Sequence, residues 1–386
     1  MENFVFCNPT TLHFGKNALD GLNNVLQHYG RKVLLVYGKG SIKKTGLYDK
    51  VMGCLKEVQA EVFEYEGIRP NPVIEDVDTA AALGRKHKVD VILAVGGGSV
   101  IDSAKFISIT IPVQHPAWDF IIRKAKPEKA IPLICILTLA ATGTEMNPFA
   151  VISKHDANFK DGYSSPLLYP AHSFLDPQLT VTVPRNYTAY GIVDLIAHCF
   201  EAWFGAGEAS LSDRFIISII QEAIKYGPAL LKDLNNYDLR EKIMYAATMA
   251  LNGLTMQGKK SGDWGVHGIG HILSLLYDIP HGASLTIVYP AWMKHLQERA
   301  ADRIALLGSG IFNEPLTAPE SIKRIEDLFR SLECPVRLSE TGIATDQQKI
   351  CETLVINKVS GANYKLKEKD LEEIVELFFM RSPSRV

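Results

Sequence analysis

Charge imbalance, paired cysteines and long apolar runs are all missing from this 386-residue chain. Lys and Arg number 41 against 43 Asp and Glu, a formal net charge of −2, so neither nucleic acid nor an anionic membrane is expected as a partner. The six cysteines, Cys7, Cys54, Cys135, Cys199, Cys334 and Cys351, are scattered with no Cys-x-x-Cys among them. That argues against a thiolate zinc site and for reduced thiols in a cytoplasmic protein. The apolar run at 131–141 is too short to cross a bilayer, and MENFVFCNPTTLHFGK at the start lacks a basic residue cluster followed by an apolar stretch. Neither a membrane span nor a signal segment is expected. What is present, 47% hydrophobic and 22% charged residues, is enough apolar material for two ordinary globular domains.

The first half alternates apolar runs with helical patterns. VLLVY (33–37), AEVFEYE (60–66), VILAV (91–95) and IPLICILT (131–138) read as strands, with helical stretches near 45–59 and 73–88. Strands apolar throughout and separated by helices imply a parallel sheet covered on both faces. Three of them end in loops rich in Gly, Ser or Thr, where such sheets bind ligands. After FLDPQLTVTVPRNYTAYG (174–191) nearly every stretch has helical period. The expectation is therefore α/β plus all-α: a dinucleotide-binding parallel-sheet domain over 1–185, then an all-helical metal-binding domain over 186–386.

AVGGGSVIDSAK (94–105) is a strand, three glycines and a helix start, a junction whose free N–H groups suit phosphate. It is not Gly-x-Gly-x-x-Gly, so the standard Rossmann fingerprint is absent. TLAATGTE (138–145) offers Thr138, Thr142 and Thr144 beside Gly143, as a phosphate or ribose contact or as a capped helix start. In VYGKGSIKKTG (36–46), Gly38 occupies the strand end where a carboxylate would reject a 2′-phosphate, with Ser41, Lys43 and Lys44 following. The missing repulsion and nearby cations favour NADP(H).

GIVDLIAHCFEAWF (191–204) places Asp194 and His198 four apart on an otherwise apolar helix face, which demands a reason for burying them. Alone, such a pair is more often a local hydrogen bond. HGIGHILSLLYDIPHG (267–282), however, holds His267, His271 and His281, three of the chain's eleven histidines. One carboxylate and two or three imidazoles without thiols suit Fe(II) or Zn(II) and offer little to Mg(II) or Ca(II).

Taken together, Gly96-Gly97-Gly98-Ser99 with Asp102, TLAATGTE, Asp194-x3-His198 and His267-x3-His271-x9-His281-Gly282 resemble the iron-containing (group III) alcohol dehydrogenase family. The nearest likeness is to its butanol dehydrogenase and NADPH-dependent aldehyde reductase branch. The resemblance runs from PTTLHFGK through RPNP to the C-terminal helices. It implies an N-terminal dinucleotide domain, a C-terminal helical domain, a site in the cleft between them and a homodimer. It implies Asp194, His198, His267 and His281 as metal ligands, with His271 beside the metal as a proton relay. It also implies nucleotide contacts from Gly38, Ser41, Asn71, Gly97, Gly98, Ser99, Asp102, Thr138, Thr142, Asn147, Lys160 and Leu179. Lys160 lies in SKHDANFKDGYSSPLLYPAH (153–172), which departs from the family pattern.

The function so implied is hydride transfer between NADP(H) and a short- to medium-chain aldehyde or primary alcohol, with Fe(II), or alternatively Zn(II), polarising the carbonyl oxygen. Phe149, Trp264 and Leu254 suggest an apolar pocket for an alkyl chain, or ordinary packing. An NAD-linked polyol dehydrogenase of the glycerol type is the nearest alternative, and a non-enzymatic NADP(H) and metal sensor a more distant one. A dehydroquinate-synthase-like lyase shares the general fold, but 191–204 and 261–282 contain no Lys or Arg to meet its anionic substrate.

Overall fold

The computed structural model describes residues 1–380. Its sheet is built from β1 (Thr11–Phe14), β2 (Lys32–Gly38), β3 (Glu61–Ile68), β4 (Val91–Gly96), β5 (Leu133–Leu137) and β8 (His172–Leu175). All six run parallel, in the order β1-β8-β5-β4-β2-β3. A separate antiparallel hairpin pairs β6 (Phe149–Lys154) with β7 (Phe159–Ser164), the strand that carries Lys160.

Burial explains the continuous apolar strands. Leu34, Val36, Ile92, Ala94 and Cys135 point into one core, and Val33, Leu35, Val91, Leu93, Ile134 and Ile136 into the other. Strand residues alternate between faces, so a sheet covered on both sides needs apolar residues at every position. Helices α4 (Ile74–His87) and α5 (Gly98–Thr110) supply side chains to the first core. Helices α1 (Leu22–Leu26), α2 (Ser41–Lys44) and α3 (Leu47–Glu57) supply them to the second, while α6 (Trp118–Ile121) adds Phe120 to the first. The four strands read from the sequence are present within two residues of their expected ends. β1 and β8 went unread because four residues are too few for an alternation to stand out.

The remaining helices are α7 (Arg185–Phe204), α8 (Ser210–Lys232), α9 (Tyr237–Leu251), α10 (Gly265–Tyr277), α11 (His281–His295), α12 (Ala301–Phe312), α13 (Ala318–Ser331), α14 (Gln347–Ile356) and α15 (Glu368–Phe379). No helix among the described residues is long and apolar enough to cross a membrane.

By contacts the chain divides into one unit of Cys7–Val183 with Leu234–Thr248 and another of Met1–Phe6, Pro184–Asp233 and Met249–Val386. The break at 183/184 lies beside the expected boundary, but two segments depart from a single cut at 185. Most of α9 joins the sheet unit: Met244 lies in its core, Tyr245 meets the ring of Phe14, and Thr248 Oγ1 donates to Glu145 Oε1 at 2.6 Å. Met1–Phe6 joins the helical unit, where Glu2 N donates to Gly258 O at 2.9 Å. Helical period cannot reveal which core a helix serves.

Candidate active site

Within the helical unit, α7 carries Asp194 and His198 one turn apart, both almost completely buried. Three imidazoles converge on Asp194 Oδ1: His281 Nε2 at 3.7 Å, His198 Nε2 at 3.8 Å and His267 Nε2 at 4.0 Å. These separations are too long for hydrogen bonds, so the local Asp194–His198 bond considered from the sequence is not made. They are near the spacing of ligands that share one ion, which at bonds of ~2.1 Å sit ~3.4 Å apart at the tetrahedral angle. Asp194, His267 and His281 each present a ligand atom within 4.8 Å of the others.

The donor chemistry fits a metal. His267 Nε2, the nitrogen that faces Asp194 Oδ1, is buried without a hydrogen-bond partner, an arrangement that costs stability unless something else satisfies it. Burial, and then the neighbouring His267, hold the pKa of His198 well below its usual value, so its ring is neutral and keeps a lone pair to donate. The rings of His198 and His267 stack with centroids 4.9 Å apart.

Helix packing selects among the histidines. Pro280 precedes α11, so His281 opens that helix. A Cβ on the next residue, Gly282, would lie 2.3 Å from Tyr190 O of α7. Only glycine permits so close a backbone approach, and it is this approach that carries His281 to Asp194. His271 is buried one turn beyond His267 on α10, its ring 5.2 Å from that of His281 and 6.4 Å from that of His267. It borders the cluster and is outside the set converging on Asp194 Oδ1. The Trp264 ring lies 5.4 Å from that of His267 and 6.5 Å from that of His198, forming an aromatic wall there. Phe149 is 42% exposed at the start of β6, and Leu254 lies in a short 3-10 turn.

Sequence reasoning missed Glu201, although it stands on the Asp194 face of α7, seven residues on. Its Oε1 accepts from His267 Nδ1 at 2.7 Å and from His267 N at 3.2 Å, and its Oε2 accepts from Trp264 N. Asp263 was also missed. It accepts from the backbone N–H groups of Asn363 at 2.9 Å and Tyr364 at 2.7 Å, and burial, then the charge of Glu201, push it up to about 6.

In the sheet unit, the carboxyl ends of β2, β4 and β5 lie side by side, with Tyr37 opposite Val95 and Gly96 opposite Leu137. Gly97 caps α5, and Gly98 and Ser99 open it with N–H groups that have no partner inside the helix. Thr142 Oγ1 lies 2.8 Å from the position of a Cβ on Gly98, so the GGGS (96–99) and AATG (140–143) loops touch. Thr138 N donates to Gly96 O at 3.0 Å. Lys160, on β7, donates to Asn71 Oδ1 at 2.8 Å, which joins two of the expected contacts. Leu179 packs at the edge of the second core.

Two expected contacts have partners within the sheet unit. Asp102 is buried, its Oδ1 accepting from Thr144 Oγ1 at 2.6 Å and its Oδ2 from Val151 N at 3.0 Å. Asn147 donates to Gly143 O at 2.8 Å and accepts from Phe149 N and from Lys105 Nζ. Lys105 Nζ also donates to Asn147 O at 2.8 Å and Phe149 O at 2.6 Å, and burial pulls its pKa down to about 8. These side chains brace the loop after β5 against α5.

Lys43 has partners on neighbouring strands and helices. Lys43 Nζ lies 2.8 Å from Glu66 Oε2 and 5.3 Å from the ring centres of Tyr37 and Tyr48. The cation expected to meet a 2′-phosphate already has a partner. Glu66 Oε1 also stands 3.9 Å from the position of a Cβ on Gly40, so a carboxylate does flank the Gly38–Ser41 loop. It comes from β3, where Glu66 pairs with Tyr37, rather than from the end of β2.

Comparison with known proteins agrees with both halves. Residues 9–177 match the family model "Iron-containing alcohol dehydrogenase", and residues 188–380 match "Fe-containing alcohol dehydrogenase family, C-terminal". The chain is 41% identical to a probable NADH-dependent butanol dehydrogenase 2 of Bacillus subtilis (strain 168), covering 97% of this chain and 99% of that one. It is 39% identical to the NADPH-dependent aldehyde reductase YqhD of Escherichia coli (strain K12), covering 89% and 90%. The crystal structure of NADH-dependent butanol dehydrogenase A from Thermotoga maritima superposes with a TM-score of 0.94 at 37% identity, over 98% of each chain. The chain therefore belongs to the iron-containing alcohol dehydrogenase family, in its butanol dehydrogenase and aldehyde reductase branch.

Proposed function

We propose that this alcohol dehydrogenase/aldehyde reductase moves hydride between a nicotinamide dinucleotide and the carbonyl carbon of a short- to medium-chain aldehyde, reversibly. The observation that supports this most is the convergence of three imidazole Nε2 atoms on the buried Asp194 Oδ1. In this reading Asp194, His198, His267 and His281 hold Fe(II), with Zn(II) as the alternative. Bound there, the ion supplies a positive charge that polarises the carbonyl oxygen and stabilises the developing negative charge.

The chain's own residues do the rest. Aldehyde reduction consumes one hydride and one proton, and His271, whose ring is 5.2 Å from that of His281, delivers the proton. Trp264 gives an alkyl chain an apolar wall beside the imidazoles. The free N–H groups of Gly98 and Ser99 take the pyrophosphate. Gly38, Gly40 and Ser41 take the adenosine ribose, with Glu66 and Lys43 at its edge.

Gly38 leaves room for a 2′-phosphate, as the NADP(H) expectation requires. The Glu66 carboxylate and its claim on Lys43 disfavour that phosphate, so NAD(H) is the better substrate and NADP(H) the weaker one. The test is anaerobic reconstitution with Fe(II), then consumption of NADH and NADPH with butanal, glycerone or no carbonyl. Faster oxidation of NADH with butanal is expected. Turnover with glycerone alone would indicate the polyol reading, and no turnover with either carbonyl the sensor.

A further inference from the structure

The geometry points to Glu201 as the residue that positions His267 for metal binding. This inference rests on the reading of His267 as a ligand. An imidazole binds metal through one nitrogen only when its proton sits on the other, and a fixed acceptor at that second nitrogen selects both tautomer and ring rotation. Glu201 is 1% exposed and supplies such an acceptor: Oε1 is 2.7 Å from His267 Nδ1, while His267 Nε2 faces Asp194 Oδ1 at 4.0 Å.

The same carboxylate accepts the backbone N–H groups of His267 and of Trp264, which caps α10 in a left-handed conformation at φ 66°. It thus fixes both the side chain of His267 and the helix end that carries it. Since α7 holds Asp194, His198 and Glu201 on one face, a single helix presents two ligands and orients a third belonging to another helix.

Replacement by glutamine separates this role from capping alone. Glu201 receives donors at both oxygens, so the amide NH2 must face either the His267 donors or Trp264 N–H. One side of the arrangement is lost while volume is kept.

The experiment compares wild type, Glu201→Gln, Glu201→Asp and His267→Ala, each loaded with Co(II). Readouts are the ligand-field spectrum, metal affinity by chelator competition, and thermal unfolding of the metal-free protein. Glu201→Gln is expected to fold, to bind Co(II) ~10–100-fold more weakly and to show an altered spectrum. Glu201→Asp, which keeps two acceptors, should recover part of the affinity.

A second measurement needs no variant. In 15N-histidine-labelled wild type, metal-free and loaded, the His267 proton should reside on Nδ1. A folded Glu201→Gln with wild-type affinity and spectrum, or a His267 proton on Nε2, would overturn the proposal. Unchanged metal binding in His267→Ala would instead overturn the ligand reading on which it rests.

Discussion

A methyl group added at Gly282 tests how the metal half of the site is assembled. In Gly282→Ala the new Cβ would lie 2.3 Å from Tyr190 O and 2.7 Å from both its carbonyl carbon and its Cα, all backbone atoms of α7. Backbone within a helix cannot rotate aside as a side chain can. Carbon and oxygen need somewhat over ~3 Å, so the start of α11 must withdraw from α7 by ~1 Å. His281 is the adjacent residue, and its Nε2 lies 3.7 Å from Asp194 Oδ1 in the native arrangement. Metal sites tolerate ~0.2 Å in bond length, so a ~1 Å withdrawal would take His281 out of the proposed ligand set.

Overpacking of this kind costs ~1–3 kcal/mol, and a 1 Å misplacement at a reacting centre costs ~100-fold in rate. The assays are metal content after dialysis, thermal unfolding of the metal-free protein, and kcat with butanal. Expected results are substoichiometric metal, a Tm lowered by a few degrees, and turnover reduced by about two orders of magnitude. If Gly282→Ala keeps a full complement of metal and wild-type kcat, close α7–α11 approach does not place His281, and the account of the site fails.

His267→Ala should lose metal and turnover while binding dinucleotide as wild type does, which metal analysis beside nucleotide titration can check. Gly38→Asp should lower kcat/KM for NADPH far more than for NADH, and equal losses would remove the adenosine ribose from this loop. Glu66→Gln should act in the opposite sense by releasing Lys43 from its 2.8 Å pair, raising the NADPH-to-NADH ratio of kcat/KM several-fold. The buried Lys105, at about 8 against 10.5 when exposed, keeps its charge at a cost in the folded state. Between those values the unfolded chain binds the extra proton, so this group's contribution to stability rises with pH, by up to ~1.4 kcal/mol per unit. Denaturant unfolding of wild type and Lys105→Met across pH 7–10 should show wild type gaining on the variant; a constant difference would contradict the assignment.

Much of the molecule could be read from local spacing. Strands buried on both faces must be apolar at every position, so β2, β4 and β5 were legible, and the α/β-then-helical order with them. An i,i+4 pair shares a helix face whatever surrounds it, so Asp194 and His198 could be named together. The glycine-rich turn at 96–99 needed only the rule that a helix start offers free N–H groups.

Contacts between elements distant in sequence settled what remained. His267 and His271 have ligand-like spacing, yet it is His281 that shares Asp194 Oδ1 with His267, because Gly282 admits α11 to the backbone of α7. Glu201 was visible as an acid on the right face, but its hold on His267 requires α10 to begin beside it. Lys43 looked like a free cation until the pairing of β2 with β3 put Glu66 within its reach. The partners of Asp102 and Asn147, namely Thr144, Val151 and Lys105, likewise lie more than forty residues away in sequence. Periodicity reports which side chains share a face of their own element; which partner each one meets depends on how closely separate elements approach.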